Sequence, residues 1–184
     1  MVEENILKNK LEGLKEKADL FSNITDKVIK ENSKDLDEIM EYIKHLVTQD
    51  TAISTESVER AYAELTNLLY FMADRIEKLN IFSDVSRSNA KEVYNNSYIA
   101  VSSEKDEKGK SIRTVNENVA LAESNAQYEY TMNSIYEHAY KSLKLKLDLG
   151  LEMVTTLKNI LKKRMNEDYL NFQVSTNNKT LPED

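Results

Sequence analysis

The sequence has no cysteine and no tryptophan, and only one proline and three glycines in 184 residues. Without cysteine there is no disulfide framework and no thiolate metal site. With so little proline and glycine, the chain lacks the punctuation that a fold of many short strands and tight turns requires. No apolar run approaches the length of a membrane span, and the first residues, Met1-Val2-Glu3-Glu4, are acidic; neither a membrane helix nor a secretory leader is expected. Glycine-rich nucleotide loops, a nucleophile elbow and an HExxH motif are also missing. There are two histidines, His45 and His138. His138 has no acid four residues to either side, so it reads as a surface residue rather than a ligand or base. These absences set the expectation of a non-enzymatic protein with no cofactor and no metal, in a cytoplasmic setting.

What is abundant is helix-forming residues: Leu, Glu, Lys, Ala and Met. The fold class expected is all-α, an elongated helical bundle or coiled-coil-like assembly around one very long C-terminal helix. That helix is expected over residues 114–170. Thr114 and Glu117 make a capping box at its start. Val119, Ala122, Ala126, Met132, Ile135, Ala139, Leu143, Leu147, Val154, Leu157 and Leu161 then recur at helical spacing. At 1.5 Å per residue it would be roughly 80 Å long and would need partners along its length. Gly150 stands where this stripe calls for an apolar side chain, which points to a close helix crossing or a kink.

The segments before it divide as follows. Residues 1–50 read as an acidic pair of helices, the first over 3–31 and the second starting at Ser33 as N-cap. Leu7, Leu11, Leu14, Ala18, Phe21, Thr25 and Val28 form an a/d seam on the first. Leu36, Ile39, Met40, Ile43, Leu46 and Val47 form the apolar face of the second. Residues 54–101 hold two central helices, to about 79 and from about 84. Val58, Tyr62, Leu65, Leu69, Met72, Ile76 and Leu79 make the most regular stripe in the chain, widened by Ala61, Leu68 and Phe71. Val85, Ala90, Val93, Tyr94, Tyr98 and Val101 mark the weaker fourth helix. Residues 102–113 are an exposed, mobile charged loop containing Gly109, and 171–184 a disordered polar tail.

The net charge of −7 is unevenly spread. Residues 1–60 carry 14 acidic and 9 basic side chains; residues 141–164 carry 7 basic and 2 acidic. Lys144, Lys158 and Lys162 project from nearly one azimuth of a helix, with Lys141 about 60° away. Such a stripe suits phosphate contact, and it suits equally a solvated face or the docking of the acidic N-terminal part. Tyr128, Tyr130, Tyr136 and Tyr140 precede it, and Tyr136 and Tyr140 are neighbours on one face. Aromatics beside a cationic groove stack single-stranded bases; the same residues also pack interfaces with their hydroxyls wet. The candidate nucleic-acid-binding residues are therefore Lys141, Lys144, Lys158, Lys162, Tyr136 and Tyr140.

The helical stretch from Tyr62-Ala63-Glu64-Leu65 to Tyr98, the charged glycine-containing loop Glu104 to Lys110, and the junction Arg113-Thr114-Val115 opening a long helix resemble the recombination mediators of tailed phages, the UvsY-type proteins. The resemblance covers residues 61–170 and leaves the N-terminal part as an extension. It implies a helical homo-oligomer, a ring, that binds single-stranded DNA and helps a RecA-like recombinase displace a single-strand-binding protein, without covalent chemistry or cofactor. The net acidity departs from what a single-strand binder leads one to expect. A structural or adaptor helical protein with no nucleic-acid role is the alternative expectation. A third is an inhibitor that binds through its acidic surface.

Overall fold

A computed structural model of the chain describes the backbone of residues 2–48 and 53–177, and the side chains of residues 12–48 and 53–170. The described residues are all-α: α1 (Val2–Thr48), α2 (Thr55–Ser103), α3 (Val115–Asn125) and α4 (Gln127–Asn177). Lys105 and Ser111 form an isolated β-bridge between α2 and α3.

The structure corrects several sequence expectations. The N-terminal pair is one helix of 47 residues and the central pair one of 49. With α4 at 51 residues, three helices of similar length build the chain rather than one dominant C-terminal helix. The two expected breaks fail for the same reason. Polar residues there find side-chain partners while the backbone ladder continues. Asn32 Nδ2 donates to the Val28 carbonyl at 2.8 Å, and Ser33 Oγ donates to Asp37 Oδ2 at 2.8 Å, so Ser33 caps nothing. In α2, Ser83 is buried and its hydroxyl reaches Asn133 Oδ1 at 3.5 Å.

The helix expected over 114–170 is divided, by one residue only. Ala126 has φ −91 and ψ 2, outside the helical well. Its N–H still donates to the Ala122 carbonyl, and the Ala126 carbonyl still accepts from Tyr130 N–H, each at 3.1 Å. The ladder is bent rather than cut. Ala126 is fully buried, and its neighbour Asn125 donates to Ser97 Oγ on α2 at 2.6 Å. Residues 171–177 of the expected tail belong to α4; the rest of that tail lies outside the described residues.

The chain forms two compact units. The first comprises Met1–Asn32 and Asp74–Lys144, the second Ser33–Ala73 and Leu145–Asp184. The first buries Ile76, Leu79, Ala90, Ala122, Ala126, Ile135, Ala139 and Leu143. The second buries Leu36, Ile39, Ile43, Val58, Ala61, Leu65, Leu69, Met72 and Leu157. Most of these were expected from the stripes, because period-3.6 spacing places them on one helix face. Leu14, Ala18, Val47, Phe71 and Val85 also belong to those stripes but are exposed.

In the second unit Gly150 makes the close crossing that its place in the stripe suggested. A Cβ there would lie 2.6 Å from a Leu69 methyl carbon. Nearby, Lys146 Nζ donates to both carboxylate oxygens of Asp37, at 2.6 and 2.7 Å, and to Ser33 Oγ at 2.9 Å. The ion pair is half-exposed and contributes no more than about 1 kcal/mol. Its value is in register, since the lysine ties α4 to one turn of α1.

The charged loop is exposed, as expected, and hydrogen bonds join its two arms. Asp106 N–H donates to the Lys110 carbonyl at 2.8 Å and Gly109 N–H to the Asp106 carbonyl at 2.9 Å. Asp106 Oδ1 accepts from the N–H groups of Lys108 and Lys110. Gly109, at φ 76, supplies the left-handed residue that such a three-residue hairpin loop needs. Gly109→Val is expected to cost about 1–2 kcal/mol, the penalty of a Cβ in that region. Urea denaturation reads it, and an unchanged midpoint would contradict the described turn.

The capping box is as expected. Thr114 Oγ1 accepts from Glu117 N–H at 3.3 Å, and Glu117 Oε2 accepts from Thr114 N–H at 2.7 Å. The bond from the Thr114 backbone, and then that from its hydroxyl, holds the Glu117 carboxyl below the usual range. Its contribution to stability is therefore complete above the ordinary carboxylate pKa and is lost as pH falls through the depressed value. Comparing wild type with Glu117→Gln by thermal melts should show a gap at neutral pH that narrows on acidification; a constant gap would contradict it.

Candidate nucleic-acid interface

The first unit contains the aromatic part of the expected site and adds a residue to it. Tyr136 on α4 packs against Phe82 on α2, with ring centroids 5.7 Å apart and planes tilted by 33°. Phe82 remains 54% exposed, and Tyr136 is half-buried. Tyr140 follows one turn along α4 and is also half-buried. Lys144, one turn further, is exposed. Tyr136, Tyr140 and Lys144 are spaced i, i+4, i+8, so they descend one side of the helix with a drift of about 40° per step. The arrangement is an open aromatic pair, then a tyrosine, then a cation.

Lys141 stands apart. Its Nζ donates to Glu137 Oε1 at 2.7 Å. That hydrogen bond, with the lysine's charge, holds the Glu137 carboxyl below the usual range. Arg87 Nη2 approaches the other oxygen of Glu137 at 4.0 Å. Lys141 is thus partly neutralised within the chain. Lys158 and Lys162 belong to the second unit, where both are exposed. The basic segment also meets the acidic N-terminal helix, as one sequence reading required, but through Lys146 and Asp37 within one chain rather than through the stripe.

Sequence reasoning missed Phe82 because the apolar pattern falters over residues 80–83, where a helix boundary was expected. The signal it left was a bulky aromatic off the buried stripe. Tyr128 is exposed and points to no partner ring among the described residues. Tyr130 lines an open groove of about 460 Å³ with Phe21, Ala120, Thr131 and Ser134, also within the first unit.

Among the described residues no group of three or more His, Asp or Glu side chains is placed to hold a metal ion. His45 Nε2 lies 3.5 Å from Glu41, and both side chains are exposed. No described helix is long and apolar enough to cross a membrane. Comparison with protein-family models, with curated proteins and with solved structures gave no match.

Proposed function

We propose that this chain is a non-enzymatic accessory protein associated with single-stranded nucleic acid, acting in the manner of a recombination mediator that loads a RecA-like recombinase. The observation that carries the reading is the half-exposed Phe82–Tyr136 pair, followed along α4 by Tyr140 and the exposed Lys144. An aromatic platform beside a cation holds bases without regard to sequence, and each stacked base is worth about 1–3 kcal/mol. In this reading the protein works without cofactor in the cytoplasm of a bacterium or a phage-infected cell. Its partners are single-stranded DNA, a recombinase or single-strand-binding protein, and further copies of itself. Leu145 and Leu149, one turn apart and exposed on α4, offer such copies a coiled-coil-like contact.

Fluorescence anisotropy of a labelled oligo-dT tests this at about 50 and about 300 mM salt, since phosphate contacts make affinity fall steeply with ionic strength. Binding that weakens over that range is the expected result. No binding at the lower salt would overturn the reading. A structural or adaptor role without nucleic acid is the second reading. The exposed apolar seam of α1 favours it, because a heptad stripe left outside the core needs a covering partner.

A further inference from the structure

We infer that the N-terminal half of α1 is a docking strip for an amphipathic helix of a partner protein, one whose apolar stripe is flanked by carboxylates. The argument is independent of the nucleic-acid reading, and the strip itself lies in the first unit.

The strip starts from a mismatch between pattern and burial. Leu14, Ala18, Phe21, Thr25 and Val28 alternate in steps of four and three, the spacing of a seam that meets another helix. In the same helix Phe21, Thr25 and Val28 are at least half-covered, whereas Leu14 is 68% exposed and Ala18 is exposed. The chain covers the later part of the seam and leaves the earlier part open. The sequence carries the same spacing back through Leu11 and Leu7. At its covered end the seam meets an open groove whose lining includes Phe21, Ala120, Glu123, Gln127, Tyr130 and Thr131.

The flanking residues identify the occupant. Taking Leu14 as d and Ala18 as a, the positions bordering the seam are Lys15 at e and Lys17 at g, both exposed. One heptad earlier the same positions are Lys8 and Lys10. The acids of this stretch, Glu12, Glu16 and Asp19, fall at b and f, on the far side. Charges at e and g select the partner of a helical seam, and lysine facing lysine is repulsive. A second copy pairing through this strip would bring lysines against lysines. One acid-flanked apolar face among the described residues, Leu36, Ile39 and Ile43 on α1, is already buried in the second unit. A foreign helix with Glu or Asp beside its apolar stripe meets both requirements: it covers Leu14 and Ala18 and neutralises Lys15 and Lys17.

The test uses the full chain and two labelled four-heptad peptides. Both carry leucine at a and d; one has glutamate at e and g, the other lysine. In fluorescence anisotropy the acidic peptide is expected to bind, more weakly as salt rises, and at least about tenfold more tightly than its basic twin, because like-charge flanks are penalised by more than one such step. Leu14→Lys and, separately, Lys15→Glu/Lys17→Glu are each expected to weaken it at least about tenfold. Both sites are exposed, so helicity by circular dichroism should be unchanged. Equal binding of the two peptides, no binding of either, or variants without effect would each overturn the proposal. So would sedimentation showing a wild-type dimer that Leu14→Lys dissociates. Oligo-dT binding by Leu14→Lys should equal that of wild type, which separates failure of this surface from failure of the nucleic-acid site.

Discussion

Gly150→Leu is expected to lower stability by about 3 kcal/mol, the upper end of the usual cost of overpacking a filled core. The reason is local. A Cβ at this position would lie 2.6 Å from one methyl carbon of Leu69, 3.3 Å from the other and 3.5 Å from its Cγ. Leu69 is itself buried against the same core and cannot swing into water. Either α4 moves away from α2 within the second unit or Leu69 leaves its rotamer. Gly150→Ala separates the two contributions. It gains about 1 kcal/mol of helix propensity while still placing a carbon in the contact, so its net effect should be much smaller than that of leucine. A double-mutant cycle identifies the contact. Leu69→Ala alone should cost about 2–5 kcal/mol, yet Leu69→Ala/Gly150→Leu should be more stable than the sum of the single variants by about 1 kcal/mol or more, because the added side chain fills the space released. Urea denaturation gives all three values. A Gly150→Leu protein as stable as wild type, or strict additivity in the cycle, would show that α2 and α4 do not meet at this glycine.

The second large effect concerns binding. Phe82→Ala is expected to weaken oligo-dT binding by about 1–3 kcal/mol, the loss of one stacked base. Lys144→Glu should reduce the slope of log affinity against log salt by about one, the signature of a lost phosphate contact. The two changes therefore act on different observables: the first lowers affinity at every salt concentration, the second changes how salt acts. Phe82 and Lys144 are both exposed, so neither substitution removes a core side chain. Lys34→Glu, on an exposed lysine 3.8 Å from Glu38, serves as the control for net charge. If Lys34→Glu weakens binding as much as Lys144→Glu does, attraction is diffuse and the α4 face is not the site. If Phe82→Ala binds as wild type does, the aromatic pair is packing between α2 and α4 and nothing more.

Some features of this protein were present in the sequence because they depend on neighbours along the chain. Helical character follows from composition and from the scarcity of glycine and proline. The Thr114–Glu117 box is a three-residue relation, closed as such a motif closes anywhere. The stripe from Val58 to Leu79 is buried at Val58, Leu65, Leu69, Met72, Ile76 and Leu79 because periodicity alone decides which residues share a face. Gly150 was legible as a gap in such a stripe.

Other features needed the tertiary structure. Ser33 and Asp37 meet within α1, but that Lys146, 113 residues from Ser33, donates to both is a matter of packing. The sequence at 32–33 does not announce that partner. Periodicity names a face but not its neighbour, so it could not say that Phe21 would be half-covered while Leu14 and Ala18 stayed open. The aromatic pair is of the same kind: Tyr136 was a candidate in the sequence, but Phe82 joins it only because α2 and α4 meet there within the first unit. The candidate site and the docking strip both lie where one helix happens to meet, or fails to meet, another. Local sequence sets which faces are apolar or charged, and long-range packing sets which of them remain free to bind.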